Sequence, residues 1–246
     1  MGMATTDVQT SPRQDRRKAR TRARILDAAE GVFSDDADAA TVERIADAAD
    51  VAVATIYQHF GGKDELHMAV VERAIERNEH HMLAVYESAA EPVEKLIDAA
   101  GAYLRFHLAS PQMFRMIALQ QGRPTGEVAN GPTATVVTTR VNRMTSALSG
   151  VIDAGVAGGA FRGVSSLATA RFLWGSMNGV IALSTRPDPL RLTAPELRDA
   201  LIEGIELILE GLVTDALRDP DGRLARNLRE RLHSAIGNAE PEPDSQ

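Results

Sequence analysis

The chain has 246 residues, 44% of them hydrophobic and 25% charged, which suits one large or two small globular domains with a proper core. It contains no cysteine, which excludes disulfide bonds, thiolate zinc sites and cysteine nucleophiles. Neither a secretory signal nor an apolar run of about 20 residues is visible, so we expect a cytoplasmic protein with no membrane contact.

The net charge of −7 argues against nucleic acid, but the charge is unevenly distributed. Residues 13–24, RQDRRKARTRAR, hold seven basic side chains and one acidic one. Two interpretations are open: a solvated, flexible lead-in, or an electrostatic arm that binds phosphates. We expect residues 1–15 to be a disordered arm. The candidate DNA contacts of the arm are Arg16, Arg17, Lys18, Arg20 and Arg22.

Four helices are predicted in the first third of the chain. The first spans about 16–34, because its apolar residues recur on one helical face. Thr41 is a good N-cap for a second, short helix that ends before Asp50, a residue that tolerates a left-handed turn. A third short helix covers about 52–59, and the pair Gly61-Gly62 ends it. A fourth helix starts near Lys63.

The remaining chain also favours helices, and no segment shows the alternation of a strand. Proline residues stand at most of the predicted boundaries. We therefore predict an all-α fold, with an acidic, disordered tail over residues 235–246. The predicted helices are 63–88, 92–109, 111–120, 133–156, 165–185, 195–214 and 221–234.

Two short helices joined by a tight turn, after a longer helix, are typical of a helix-turn-helix whose second helix enters the DNA major groove. If Val53, Ile56 and Phe60 face the core, the other side chains of that helix face outward. A short aromatic and aliphatic run is also typical of a segment buried in the hydrophobic core. A DNA-reading helix and an ordinary core helix therefore both stay open. The candidate DNA contacts are Thr41, Arg44, Ala52, Ala54, Thr55, Tyr57, Gln58, His59 and Lys63.

The stretch TVERIADAADVAVATIYQHFGGKDEL, residues 41–66, resembles the N-terminal signature of the TetR family of transcriptional regulators. Matching positions include Thr41, Tyr57, His59, Phe60 and Lys63, and the lead-in RARILDAAEGVFSDD matches as well. The family usually has glycine where this chain has Asp50, and often serine where it has Ala52. The resemblance covers about residues 18–70.

The resemblance implies a homodimer that binds a pseudo-palindromic operator through residues 16–66. It also implies a helical domain over residues 67–234 that dimerises and binds a small effector, which releases the DNA. The resemblance favours a repressor of transcription, and an activator stays open. No cofactor and no metal are expected.

The C-terminal half offers candidates for the effector pocket and the dimer interface. Aromatic and methionine side chains line adaptable apolar sites, which favours an apolar effector. The candidate pocket residues are Phe106, His107, Met113, Phe114, Met116, Arg140, Met144, Phe172, Trp174, Met177 and Asn178. The candidate interface residues are Gly175, Gly179, Ala182, Leu197, Leu201, Ile205, Ile208 and Leu212. An ordinary intramolecular core is the alternative for both sets.

Two other functions are compatible with an all-helical chain of this length. An enzyme is disfavoured, because there is no Gly-x-Ser-x-Gly elbow and no glycine-rich phosphate loop after a strand. A dimeric DNA-binding protein that binds only protein through its C-terminal domain stays open; a filled core in that domain would favour it, and a sizeable closed cavity would argue against it.

Overall fold

The computed structural model describes residues 12–35, 39–109, 111–118, 128 and 131–240, and these form an all-helical chain. The helices are α1 (Pro12–Asp35), α2 (Val42–Ala49), α3 (Val53–Phe60), α4 (Lys63–Tyr86), α5 (Pro92–Ala109), α6 (Pro111–Ala118), α7 (Pro132–Ala157), α8 (Ser166–Ser184), α9 (Ala194–Leu212), a short 3₁₀ turn (Asp215–Leu217) and α10 (Arg226–Gly237). None of these described helices is both long and apolar enough to cross a membrane.

The predicted fold class is confirmed, and the predicted helices recur with small shifts at their ends. The largest shift in the N-terminal half is at α1, which begins at Pro12 rather than near residue 16. Proline suits the first turn of a helix, where its missing N–H has no partner to lose. The prediction of a disordered arm is therefore wrong for residues 12–15, and residues 1–11 lie outside the described part of the chain.

The C-terminal end differs more. Gly222 takes a left-handed φ of 84° in a turn closed by a backbone bridge between Arg218 and Leu224, which delays the start of α10 to Arg226. Helix α10 continues to Gly237, and Ala239 after it is fully buried. The predicted disordered tail is wrong for residues 235–239, and residues 241–246 lie outside the described chain.

The N-terminal core joins α1, α2 and α3 to the first part of α4 and to α6. Ile25, Ile45 and Ile56 are fully buried in it. The same core includes Val70 and Ile75 of α4, beyond the domain boundary predicted at residue 66. Helix α4 therefore belongs to the N-terminal core along its first half.

The C-terminal core is built from α5, α7, α8, α9 and α10 around the second half of α4. Met82 of α4, Ile97 of α5 and Ile152 of α7 are among its buried side chains. Ion pairs fasten α4 to the helices on both sides. Arg73 pairs with Asp27 of α1 at 2.6 Å and with Glu30 of α1 at 2.5 Å, so the first half of α4 is tied to α1.

The turn between α2 and α3 contains Asp50 in a left-handed conformation and is stabilised by Arg24. Asp50 has φ 50° and ψ 55°, the left-handed region, and its N–H donates to the carbonyls of Ala46 and Asp47. Arg24 of α1 donates to the carbonyl oxygens of Ala49 at 2.5 Å and Asp50 at 3.0 Å. The backbone of Asp50 therefore has a glycine-like geometry, stabilised from outside the turn.

We expect Asp50→Gly to raise the free energy of unfolding by about 0.5–1 kcal/mol, because glycine takes the left-handed conformation without the steric cost of a Cβ. The exposed Arg24–Asp50 ion pair that is lost contributes little, and the bonds to the backbone carbonyls remain. The matched control is Asp47→Gly inside α2, which should lower the same quantity by a few tenths of a kcal/mol. Urea denaturation of both variants tests this, and equal signs for the two would contradict it.

His107 of α5 is buried without charge. Its ring lies 4.9 Å from the ring of Phe114 in an edge-to-face arrangement, and its Nε2 is 3.3 Å from Ser184 Oγ. Burial lowers the pKa of His107 from 6.5 to about 4. Between these two values the unfolded chain binds a proton that the folded chain does not.

Folding stability should therefore fall as the pH drops from about 6.5 to about 4, and His107 accounts for on the order of 3 kcal/mol of that loss. In His107→Gln the pH dependence should be shallower by that amount, since no imidazole is left to protonate in the unfolded chain. Urea titrations at a series of pH values measure it. The control, His80→Gln at an exposed position of α4, should leave the slope unchanged; an equal change in both variants would contradict the assignment.

Candidate functional sites

Helix α3 divides into a buried and an exposed side. Ile56 is fully buried and Phe60 is 9% exposed, so both anchor the helix in the N-terminal core. On the opposite side Tyr57 is 53% exposed, and Ala52, Ala54 and Gln58 are exposed as well. We call these four residues the α3 face. Its small alanines leave a low surface from which Tyr57 and Gln58 project, which suits close approach to a groove floor.

Residues at the edges of the α3 face are partly engaged within the chain. Thr55, His59 and Lys63 are half-buried, and Lys63 is the first residue of α4. Ala52 caps α3 without a side-chain hydrogen bond, which agrees with the expected loss of a serine hydroxyl there.

Two predicted contacts on α2 also have structural partners. The Thr41 hydroxyl accepts from the Arg44 N–H at 3.2 Å as the N-cap of α2. Arg44 Nη1 donates to the Ala39 carbonyl at 3.1 Å. Both side chains are exposed, so they lie at the surface while they hold the start of α2.

The basic segment 13–24 is part of α1 rather than a flexible arm. Arg16, Arg17, Lys18 and Arg20 are exposed along it. Arg22 is different: its guanidinium lies 4.2 Å from the centre of the Phe60 ring, and its Nη1 donates to the His59 carbonyl at 3.1 Å. Arg22 therefore holds the end of α3 against α1, in addition to lying exposed on the basic side of α1.

The basic side of α1 lies close enough to α3 to affect its electrostatics. Burial lowers the pKa of the His59 imidazole below its usual 6.5, and the charges of Lys18 and Arg22 lower it further. His59 is therefore neutral near pH 7, with a ring that donates one hydrogen bond. The α3 face is thus next to a concentrated positive charge in a chain that is negative overall.

A cavity of about 310 Å³ lies in the helical domain. Its wall is formed by α4, α5, α6, α7, α8 and α9 and is mostly apolar, with five methionines. Residues that line it include Met68, Val71, Ile75, Asn78, Met82, Tyr86, Tyr103, Thr138, Asn142, Thr145, Ile205 and Ile208. The volume and the apolar wall are those of a small-molecule site.

Four of the predicted pocket residues lie in this wall: Met116, Met144, Trp174 and Met177. Three others, His107, Met113 and Phe114, are buried in the cores instead, and Phe106 is half-buried against the C-terminal core. Phe172 faces outward and is 62% exposed. The sequence pattern could not separate these sets, because both are apolar and occur on the same helices.

Two predicted polar groups act elsewhere. Arg140 of α7 is absent from the wall and pairs with Glu76 at 2.7 Å and with Glu79 at 2.5 Å, which ties α7 to α4. Asn178 lies behind the wall, where its Oδ1 accepts from the Tyr103 hydroxyl at 2.5 Å. Burial raises the pKa of Tyr103 to about 12, with the hydrogen bonds to Trp174 and Asn178 acting in the opposite direction.

The contribution of α4 to the wall was missed at the sequence level. Met68, Val71, Ile75, Asn78 and Met82 follow one another at three- and four-residue intervals along one face. That stripe was visible in the sequence, but it is the same signal that a solid core gives. Only the way in which the described helices α5 to α9 pack around this stripe makes it a cavity wall.

The residues predicted for the dimer interface differ in their exposure within a single chain. Gly175 and Gly179 of α8 are exposed, with open space where a Cβ would stand, and Ala182 is half-buried. Leu197, Leu201 and Leu212 of α9 are at most 4% exposed inside a single chain, so their prediction as interface residues is wrong. Ile205 and Ile208 line the cavity.

Large apolar side chains do project outward from the same two helices. Phe172 of α8 is 62% exposed, Leu183 of α8 is 38% exposed and Leu207 of α9 is 68% exposed. Phe172, Gly175, Gly179 and Leu183 recur at helical spacing along one side of α8. We call these residues together with Leu207 the α8–α9 face.

Comparison with known proteins identifies both halves of the chain. Residues 25–70 match the family described as bacterial regulatory proteins, tetR family. Residues 96–205 match the tetracyclin repressor-like C-terminal domain. No curated protein matches the chain.

Solved structures of other regulators share the fold of this chain. The regulator FadR from Bacillus subtilis, solved with stearoyl-CoA, is 18% identical with a TM-score of 0.63, covering 77% of this chain and 98% of that one. SmeT, the repressor of a Stenotrophomonas maltophilia multidrug efflux pump, is 19% identical with a TM-score of 0.62, covering 81% and 93%. AibR, solved with isovaleryl coenzyme A and operator DNA, is 21% identical with a TM-score of 0.57, covering 74% and 95%.

At these identities the structures establish the fold, and the two matched segments establish the family. The N-terminal match covers the helix-turn-helix at residues 42–60, and the C-terminal match covers much of the helical domain that follows. The chain belongs to the TetR family of bacterial transcriptional regulators.

Proposed function

We propose that this chain is a homodimeric repressor that binds a pseudo-palindromic operator and releases it when a small, apolar effector enters the cavity. The observation that carries the proposal is the α3 face, an exposed strip of Ala52, Ala54, Tyr57 and Gln58 beside the basic half of α1. This combination offers a low surface for base edges and cations for phosphates.

Each residue of the site has a role that follows from its chemistry. Gln58 is placed to contact a base edge, since its amide both donates and accepts. Tyr57, Thr55 and His59 donate to phosphate oxygens, and Lys63 adds a cation at the start of α4, where the helix dipole also favours an anion. Exposed Arg16, Arg17, Lys18 and Arg20 extend the phosphate contacts along one side of α1.

The α8–α9 face is the proposed dimer interface. Phe172 and Leu207 are large apolar side chains that no described residue covers, and the open glycines Gly175 and Gly179 allow a second helix to approach closely. Two copies joined there would present two α3 faces to half-sites separated by about one DNA turn or a multiple of it.

The cavity favours a C-terminal domain that binds a small-molecule effector rather than one that binds only protein. A domain whose sole task is dimerisation has no need of an apolar space of about 310 Å³, which leaves dispersion contacts unmade. Helix α4 forms part of this wall and also packs against the helix-turn-helix. It therefore offers a physical route from the effector to the DNA contacts.

Operator binding is tested by fluorescence anisotropy with the DNA upstream of the chain's own gene, in the presence of scrambled competitor, followed by genome-wide selection of bound fragments. We expect Lys63→Ala and Arg20→Ala each to weaken binding and to lower the magnitude of the salt slope by about 1, since each removes one phosphate contact. Gln58→Ala should relax discrimination at one base pair by about 1–3 kcal/mol.

The matched control for the arginine is Arg226→Ala, at an exposed position at the start of α10. It should leave affinity and salt slope unchanged. If no bound fragment is enriched in the selection, or if Arg226→Ala weakens binding as much as Arg20→Ala does, the assignment of the α3 face and α1 to DNA is contradicted.

Dimerisation is tested by sedimentation of the full chain. We expect a dimer, and we expect Leu207→Glu to shift it to a monomer, because an unpaired carboxylate would be buried at the interface. The control is Leu190→Glu, an equally exposed leucine between α8 and α9 that lies outside the α8–α9 face. A wild-type monomer, or a Leu207→Glu variant that stays dimeric, would refute the proposed interface.

A further inference from the structure

The described part of the cavity wall is uncharged apart from the titratable side chain of His67. Among its described residues there is no Asp, Glu, Lys or Arg. Arg140 on α7 is held by Glu76 and Glu79, outside this wall. Burial raises the pKa of Tyr86 and of Tyr103, so both phenols stay neutral. His67 is the basic side chain of the described wall, and no ammonium or guanidinium group of the described residues faces the cavity. A carboxylate or phosphate group would therefore meet no lysine or arginine there, which disfavours it.

Asn78 of α4 is a polar group of the cavity wall whose hydrogen bonds to the described residues are incomplete. It is 4% exposed and lines the cavity. Its Nδ2 lies 3.8 Å from the sulfur of Met144, a weak acceptor, and its Oδ1 receives no hydrogen bond from any described residue. A buried amide oxygen in that state is unfavourable, and a ligand that brings a donor relieves it.

Several hydroxyl groups of the wall have already used their protons. The Tyr103 hydroxyl donates to Asn178 Oδ1. Thr138 donates to the Ala134 carbonyl and Thr145 to the Val141 carbonyl, both at 2.9 Å. These groups still offer acceptor lone pairs, as Asn78 does. Around Asn78 the wall is consequently richer in acceptors than in donors.

We infer that the effector is an uncharged amphiphile, with an apolar body among the methionines and a hydroxyl group that donates to Asn78 Oδ1. This inference rests on the proposed function of the cavity as the effector site. It separates this chain from relatives solved with coenzyme A thioesters, whose phosphates would find no lysine or arginine in the described wall.

The test uses the full chain and a matched series of ten-carbon probes: 1-decanol, decyl methyl ether and decanoate. Trp174, the only tryptophan of the sequence, lies in the wall, so its fluorescence reports binding directly. We expect 1-decanol to bind about five- to tenfold more tightly than the ether, which has no donor. Decanoate should bind at least about a hundredfold more weakly than 1-decanol at pH 7.5.

Variants assign the preference to one residue. Asn78→Leu, which keeps the branched shape of the side chain and removes the amide, should bring the ratio of alcohol to ether affinity close to one. Asn227→Leu is the control, since Asn227 is an exposed asparagine of α10 that does not line the cavity. It should keep the wild-type ratio. The comparison of three probes on the wild-type chain decides the inference even if Asn78→Leu does not fold.

Decanoate binding as tight as that of 1-decanol, equal affinity for alcohol and ether, or an unchanged ratio in a folded Asn78→Leu would each overturn the inference. These readouts need no DNA. If 1-decanol binds with the expected selectivity but does not release the operator, the ligand class stands and the release step of the proposed function fails. If no operator is found, the DNA-binding proposal fails and the affinity ratios still decide the ligand class.

Discussion

Helix α4 is the element on which the rest of the structure depends. It runs without interruption from Lys63 to Tyr86, about 36 Å, and two cores share it. Leu66 and Val70 are buried with the helix-turn-helix, while Asn78 and Met82 line the cavity. Because its backbone hydrogen bonds are continuous, a displacement near Asn78 would be carried to Lys63 and to the end of α3.

Ion pairs join α4 to its neighbouring helices at defined positions. Arg73 of α4 reaches Asp27 and Glu30 of α1, and Arg140 of α7 reaches Glu76 and Glu79 of α4. The two sets of ion pairs lie on different stretches of α4, so α1 and α7 are both bound to this helix. Glu79 is 5% exposed, which makes its pairing with Arg140 stronger than a surface ion pair and expensive to break on one side only.

The basic residues of α1 differ in whether they have partners within the chain. Lys18 and Arg20 are exposed where phosphates would pass, whereas Arg22 and Arg24 are used inside the N-terminal domain to hold α3 and the Asp50 turn. The described wall of the cavity holds no acidic or strongly basic residue. A negative total charge is therefore compatible with a DNA-binding surface, because binding depends on the local field rather than on the sum.

The sequence by itself determined the helices, the helix-turn-helix and the family. Apolar spacing, the Thr41 cap, the Gly61-Gly62 stop and the proline positions act over a few residues, so they are visible without a partner. The outward face of α3 followed from the burial of Ile56 and Phe60. Only the tertiary structure decided which apolar faces meet a void, a neighbour or solvent. Phe114 and Met116 stand two residues apart, yet one is core and the other is cavity wall. Leu201 and Leu207 share α9, yet one is buried and the other exposed. These differences depend on which helices pack against each face, and that is set by residues far apart along the chain.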